Sequence, residues 1–490
     1  MDFPFKTKPF SHQMQELAEH WNTEGRAIFW EMGTGKTKLT IDEFSALLAA
    51  GEVDAMFVLA PNAVHSNWVL EELPRHLPDE IMAGALCHSY SGQRHHTSNH
   101  KWMMAKLMAH KGPAVLTMSY DSFMTEHGRE AAGRFLLGKR CFYVLDESRR
   151  IANPQAKRTK RVLKSAVCSR RRRILNGTPI SNGPFDCYTQ VKFVDQTFWE
   201  RNGISTFVGF KTTFANFKKI KITGGKTIEV VDSYKNLDYL HELLKKISSR
   251  VTKDQVLDLP PKLFSTAHFE MSPEQWKVYR ELEKEFMTFL DGELVTASLA
   301  ITRMLRMQQV VCGYLPVGDE DNLRLVNIGE KNNRLELLRE LTEDIPHSCI
   351  IWSRFTRDND QICKMLGDQA VRYDGTVSED NRIIALQRFQ KDRSAKFFVG
   401  NPQAAGEGLT LHAAKTVIYY SNTFSLAERL QSEDRAHRIG QDQPVNYIDL
   451  VATGTLDHSI VQSLRDKLDI AATITGDKRR DWLGQGAVSE

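Results

Sequence analysis

The chain has 490 residues, 41% of them hydrophobic and 26% charged, with a formal net charge of +4. That length points to two or three domains, and the composition is that of a globular protein rather than a disordered or fibrous one. No run approaches the roughly 18 apolar residues of a membrane span, and Met1-Asp2-Phe3-Pro4 lacks the basic start of a signal peptide, so a cytoplasmic setting without a membrane partner is expected. The seven cysteines form no CxxC pair and read as reduced thiols.

In chain order, short apolar runs alternate with helix-like stretches. The first set is Arg26–Trp30, Ala55–Ala60, Ala114–Ser119, Phe142–Leu145 and Arg173–Leu175. A second set follows at Cys349–Ser353, Ala370–Tyr373, Phe397–Gly400, Val417–Ser421 and Val445–Val451. Such alternation predicts two α/β lobes with parallel sheets covered on both faces. Between them, Met271–Leu290 and Ala297–Val311 have helical spacing, and Leu259-Pro260-Pro261-Lys262 marks an extended crossing. The expected division is 1–195 for the first lobe, 196–330 for a mostly helical insertion and linker, 331–475 for the second lobe and 476–490 for a polar tail.

The clearest chemical signal is Gly33-Thr34-Gly35-Lys36-Thr37, between an apolar run and a helical pattern. Glycines let backbone N–H groups curl around phosphate oxygens, and the new helix adds its positive end. Lys36 suits the β and γ phosphates of a nucleotide, and the Thr37 hydroxyl suits Mg²⁺. Trp30 stands where the strict P-loop pattern has Gly or Ala. The apolar run Tyr143-Val144-Leu145 then ends in Asp146-Glu147. Carboxylates at a strand's C-terminal end face the ligand crevice of an open α/β sheet. There Asp146 would complete the metal shell and Glu147 would orient water. In the second lobe, Arg435 and Arg438 are three residues apart and would share one helix face, with permanent charge suited to a transferring phosphoryl group.

Three further features stand out. From Ser148 to Arg173 there are eleven Lys or Arg and no acidic residue, while the rest of the chain has 54 basic against 61 acidic residues. A patch of that kind is what a phosphate backbone attracts, or a solvated helix face. Cys87, His88, His95, His96 and His100 cluster without any standard zinc spacing, and the aromatics Trp199, Phe207, Phe210, Phe214 and Phe217 read as a small core.

Together these motifs resemble, in order and over nearly the whole length, the SWI/SNF-type ATPases of helicase superfamily two. Gln13 resembles the family's adenine-reading glutamine and Glu31–Thr37 its P-loop. Asp146-Glu147-Ser148-Arg149 resembles motif II, Asn176-Gly177-Thr178-Pro179 motif III, Ala404–Leu411 motif V, and Gln431–Gln441 motif VI almost residue for residue. The departures are Arg149 for the usual histidine, Thr34 for leucine and Thr410 for asparagine. The resemblance implies two RecA-like lobes, ATP and Mg²⁺ as cofactors, and translocation on double-stranded DNA without obligatory strand separation. ATP would be held by Gln13, Gly33, Thr34, Gly35, Lys36, Thr37, Gly408 and Gln431, with Lys36, Asp146, Glu147, Arg435 and Arg438 catalytic. DNA contacts would come from loops at Pro61, Asn62, Ser119, Tyr120, Ser353, Arg354, Gly406 and Thr410. The chain reads as a bare motor of bacterial or phage type, to which a DNA-bound protein or a nuclease would be a suitable partner. A strand-separating DNA or RNA helicase shares the same ATP site, and a non-hydrolysing DNA-binding scaffold is the reading of another class.

Overall fold

The computed structural model describes residues 5–62, 64–221, 227–292, 297–318, 322, 324–404 and 409–477. It divides into two compact units. One is built from Met1–Phe214, Lys235–Asp258 and Ile470–Asp477, the other from Ala215–Tyr234 and Leu259–Asp469.

The strands of the first unit are β1 (Gly25–Ile28), β2 (Ala55–Ala60), β3 (Leu86–Tyr90), β4 (Ala114–Ser119), β5 (Cys141–Asp146), β6 (Arg171–Leu175) and, after the hairpin β7 (Ala215–Lys221) and β8 (Thr227–Tyr234), the two-residue β9 (Ser248–Ser249). Apart from the hairpin they form one parallel sheet in the order β3-β4-β2-β5-β6-β1-β9. β2 reads AMFVLA and is buried throughout, as a strand covered on both faces must be. Its residues alternate between two cores: Ala55, Phe57 and Leu59 pack on one side, Met56, Val58 and Ala60 on the other.

The second unit repeats the plan. β10 (Lys262–Phe269), β13 (Cys349–Trp352), β14 (Ala370–Tyr373), β15 (Phe397–Gly400), β16 (Thr416–Tyr419) and β17 (Val445–Ala452) make a parallel sheet in the order β10-β17-β16-β13-β15-β14. Ile350 and Trp352 enter one core, Cys349 and Ile351 the other. A hairpin of β11 (Tyr314–Val317) and β12 (Arg324–Asn327) precedes it. The two α/β lobes of RecA-like design are therefore present.

The stretch expected to be a helical insertion, 196–330, is more divided. It holds the helices Pro273–Gly292 and Ala297–Val311 but also β7 to β12, and it changes unit at Ala215, Lys235 and Leu259. Pro260-Pro261 are not a free linker, because β10 begins one residue later and pairs with β17 along its whole length. Of the expected tail, Gly476 and Asp477 are described, and Asp477 is ion-paired to Arg250 at 2.7 Å. The aromatics expected to form a small core of their own instead join the core of the first sheet: Trp199, Phe210 and Phe214 are buried in it, Phe207 packs against it and Tyr188 stacks on Trp199, while Phe217 lies on β7. All seven cysteines are free. No described helix is long and apolar enough to cross a membrane.

Candidate functional site

In a parallel sheet the carboxyl ends of all strands share one edge, and ligands bind there. On that edge of the first unit lie the loop after β1, the acidic end of β5 and the turn after β6. Gly33 and Gly35 have φ of 82° and 87°, a left-handed backbone that side chains resist, and Gly35 caps the helix Lys36–Ala49. Lys36 sits at the first position of that helix, and its Nζ donates to the carbonyls of Trp30 (2.9 Å) and Glu31 (3.0 Å) across the loop. Trp30, the departure from the strict pattern, is buried and donates from its Nε1 to Ser249 Oγ at 2.8 Å. It fixes the loop's entry by packing rather than by turning. Thr34 is buried and donates to Glu31 O, and Thr37 is half-buried next to Lys36.

Gln13 is fully buried against the loop. Its Nε2 donates to Gly35 O at 2.8 Å while its Oε1 accepts from the Phe10 N–H. Beside it, a ring nitrogen of His12 hydrogen-bonds to Thr34 O at 2.8 Å, and the His12 ring packs on Trp30. His12 was not foreseen as a loop residue. Neither was Arg250, which donates to the carbonyls of Phe29 (2.6 Å) and Gly177 (3.3 Å) and ion-pairs with Glu31.

Asp146 ends β5 and is almost wholly buried. Its Oδ2 accepts from Trp68 Nε1 at 3.0 Å and its Oδ1 from the Glu147 N–H at 3.0 Å. Burial, with Glu147 beside it, pushes its carboxyl up to about 6, against the opposing pull of Trp68 and Lys36. Each oxygen keeps a second lone pair, so this carboxylate and the Thr37 hydroxyl are hard-oxygen donors of the kind that fit Mg²⁺. Glu147 has φ of 51°, which turns the chain sharply after the strand. Tyr120, whose hydroxyl donates to Asp146 O at 2.9 Å, braces this turn from inside.

Behind the carboxylates lies a polar hub. Gln190 is fully buried on the helix Cys187–Val194. Its Oε1 accepts from Ser148 Oγ (2.7 Å) and Asn176 Nδ2 (2.9 Å), and its Nε2 donates to the carbonyls of Pro179 (2.8 Å) and Asp186 (2.7 Å). Asn176 in turn accepts from the Thr178 N–H. The residues after β5 and β6 are thus tied through Gln190, while the buried Nε of Arg149 has no hydrogen-bond partner.

In the second unit, the helix Leu426–Ala436 carries Gln431, which is half-buried, and Arg435, which is buried. The helix ends at Ala436, so Arg438 lies in the turn beyond it and does not share a helix face with Arg435 as the spacing suggested. Both guanidiniums nevertheless meet one loop. Arg435 Nη1 donates to Leu409 O at 3.2 Å, and Arg438 Nη1 donates to Thr410 Oγ1 at 2.8 Å. The helix is anchored beneath by Arg429, paired with Asp449 and Glu433, and by Lys262, paired with Glu433 at 3.0 Å. Gly406 and Gly408 lie outside the described residues.

Most of the described positions expected to contact DNA through their backbone turn their side chains inward. Pro61, Ser119, Tyr120 and Ser353 are buried and turned inward. Ser119 Oγ caps the turn by accepting from Ser122 N, and Ser353 Oγ donates to Asn359 Oδ1 at 2.6 Å. The Arg354 N–H is taken by Ser421 Oγ, and Thr410 is engaged by Arg438. Asn62 is exposed, with its amide on Asp121. These positions shape the loops; of the described ones only Asn62 is exposed. The basic segment also divides. The helix Lys157–Ala166 buries Thr159, Val162 and Ala166 and exposes Lys157, Lys160 and Lys164. Arg171 and Arg173, by contrast, lie inside β6, paired with Glu52 and Glu43. They cannot reinforce a surface track. The histidines do not form a metal cluster among the described residues. His88 instead contacts His100 at 3.3 Å, and His95 stacks on His127.

Residues 14–313 match the SNF2-related domain family, and residues 333–440 match the helicase conserved C-terminal domain. The SWI/SNF chromatin-remodeling complex subunit snf22 of Schizosaccharomyces pombe is 26% identical over 478 residues, covering 90% of this chain and 26% of its own length. The probable ATP-dependent DNA helicase CHR12 of Arabidopsis thaliana is 29% identical over 460 residues, covering 91% of this chain and 39% of its own. The DNA annealing helicase and endonuclease ZRANB3 of Mus musculus is 26% identical over 486 residues, covering 97% and 41%. The chain thus spans about a quarter to two fifths of the length of these curated relatives. The SWI2/SNF2 ATPase core of Sulfolobus solfataricus in complex with dsDNA aligns over 97% of this chain and 95% of its own, at 21% identity and a TM-score of 0.42.

Proposed function

The chain belongs to the SNF2-related family, and from that premise we propose that it hydrolyses ATP to translocate on double-stranded DNA, remodelling DNA or protein–DNA complexes without obligatory strand separation. The observation that carries this is the meeting of Lys36, the two left-handed glycines and Asp146-Glu147 on one carboxyl edge of the first sheet. The names of the relatives, DNA helicases and a chromatin-remodeling subunit, support DNA as the track.

The loop Gly33–Thr37 cradles the phosphates, and Lys36 exchanges its two carbonyl partners for phosphate oxygens. Thr37 and Asp146 hold Mg²⁺, which when bound neutralises developing phosphate charge. Glu147, turned out of the strand by its left-handed backbone, orients the attacking water. Arg435 and Arg438, held side by side on Leu409–Thr410, stabilise the charge of the transferring phosphoryl group. Gln13, Gln431 and Gly408 complete nucleotide recognition. DNA is gripped by backbone contacts around Asn62, Arg354 and the 404–411 loop, with the lysine face of Lys157–Ala166 adding charge. Such contacts make the motor tolerant of sequence and sensitive to salt. A cytoplasmic setting, and a DNA-bound protein or nuclease as partner, belong to the same proposal.

The test is the steady-state ATPase rate without nucleic acid and with duplex DNA, single-stranded DNA or RNA. Strong stimulation by the duplex alone is expected. Preference for single strands or RNA would replace translocation by strand separation, and no hydrolysis under any condition would overturn the enzymatic reading.

A further inference from the structure

At the opposite edge of the first sheet, where the parallel strands begin, a cavity of about 510 Å³ opens between the starts of β1 and β6 and the loop after the helix Cys187–Val194. The four residues of β1 at roughly 3.3 Å each put it about 13 Å from the start of the phosphate loop. Its volume is that of a small-molecule site. Gly25 forms part of the wall, and a Cβ there would lie 2.3 Å from Val194 O, so only glycine lets β1 start this close.

Three arginines line the cavity, and two are already neutralised. Arg170 pairs with Glu24 at 2.5 Å, and Arg201 pairs with Asp195. Arg172 is different. Its neighbours on either side in sequence, Arg171 and Arg173, are paired with Glu52 and Glu43. Arg172 makes no ion pair among the described residues, and its buried Nε has no hydrogen-bond partner. Burial lowers its hold on the proton, and the fields of Asp195 and Glu24 offset only part of this. A buried guanidinium Nε–H without an acceptor is costly, and the group has five donors in a planar fork. The five charged groups around the cavity sum to one positive charge, carried in effect by Arg172.

We propose that this cavity is a second ligand site that binds the oxyanion of a small molecule, a phosphate or carboxylate group, through the fork of Arg172. The ligand brings the missing acceptor and cancels the excess charge, as guanidinium–oxyanion pairs do. The site shares no residue with the nucleotide site, so the proposal stands apart from the assigned ATP chemistry.

The experiment is thermal unfolding and titration calorimetry of the full chain in buffer free of phosphate and carboxylate. Inorganic phosphate or succinate is then added at millimolar concentration. The first transition is expected to rise with at least one of the two, to rise equally in Lys36→Ala, and not to rise in Arg172→Gln or Arg172→Leu, with affinity lower by roughly tenfold or more. A response to phosphate alone assigns a phosphoryl ligand, and to succinate alone a carboxylate. Without either anion, both Arg172 variants unfold at or above the parent's temperature, because an unpartnered charge has been removed. An equal rise in parent and variants, no rise with either anion, or variants that are unstable or unfolded without anion would overturn the proposal.

Discussion

Replacing Gln190 by Leu removes one side chain and orphans several groups. Ser148 Oγ and Asn176 Nδ2, on residues with no exposure, lose their acceptor, and the carbonyls of Pro179 and Asp186 lose a donor. Each buried polar group left unmade costs about 1–3 kcal/mol. The Ser148 hydroxyl can rotate, and Asp186 O lies four residues before Gln190 and so serves the helix as well. Counting Asn176 and Pro179 in full and the other two at the low end gives about 4–8 kcal/mol. The apolar gain of a buried leucine returns about 2 kcal/mol. The net is a loss of about 2–6 kcal/mol for the first unit. Denaturant unfolding measures it, and the double change Ser148→Ala with Gln190→Leu should cost less than the sum by about 0.5–3 kcal/mol, because one bond is deleted once. ATP turnover should also fall, since Ser148 directly follows Glu147. A loss below about 1 kcal/mol, or strict additivity with Ser148→Ala, would refute the hub.

Lys36→Ala should abolish hydrolysis by removing phosphate neutralisation, while Glu147→Gln should bind ATP with near-normal affinity and hydrolyse it at least a hundredfold more slowly, checked by filter binding and single-turnover rates. Arg438→Ala should lower turnover more than nucleotide affinity, and Arg435→Lys should not restore full activity, because one ammonium cannot copy the guanidinium fork. Burial holds His76 and His88 neutral, with proton affinities pushed down to about 4 from the ordinary 6.5. The unfolded chain therefore takes up these protons first. Stability is full above about 6.5 and is lost as pH falls toward 4. Melting temperatures across that window should show the decline, and His88→Gln should flatten it.

What could be read from sequence divides by how local the signal is. β2, β4 and β15 match their apolar runs residue for residue, since burial on both faces leaves continuous hydrophobic strings. The phosphate loop and Asp146-Glu147 were legible because their chemistry needs contiguous residues. β3 was not, as Leu86–Tyr90 is a half-buried edge strand with polar members, and two-residue β9 has no periodicity to detect. β10 alternates, but Pro260-Pro261 just before it suggested a free crossing. The helix stop at Ala436, and with it the separate placement of Arg438, depends on the turn toward Gly440, whose φ is 100°. Gln190 and Arg250 carry no motif at all. Their importance comes from partners as far as 42 positions away for Gln190 and 227 for Arg250. In the basic segment charge was visible but direction was not, so exposed lysines and buried arginines looked alike.

β9 bears on how the protein is made. The N–H groups of Ala27, Phe29 and Glu31 donate to the carbonyls of Ile247, Ser249 and Val251, more than two hundred residues downstream. During synthesis, the strand that carries the phosphate loop therefore stays an open sheet edge until the ribosome has passed residue 251. Long-range pairing of this kind is slow to form and exposed to mispairing meanwhile. A fragment cut at Phe214 would keep that edge permanently and would lack Arg250 on the Phe29 carbonyl. An expression fragment of the first unit needs the 235–258 return spliced to it, and the nascent chain has reason to rely on chaperones through its first half.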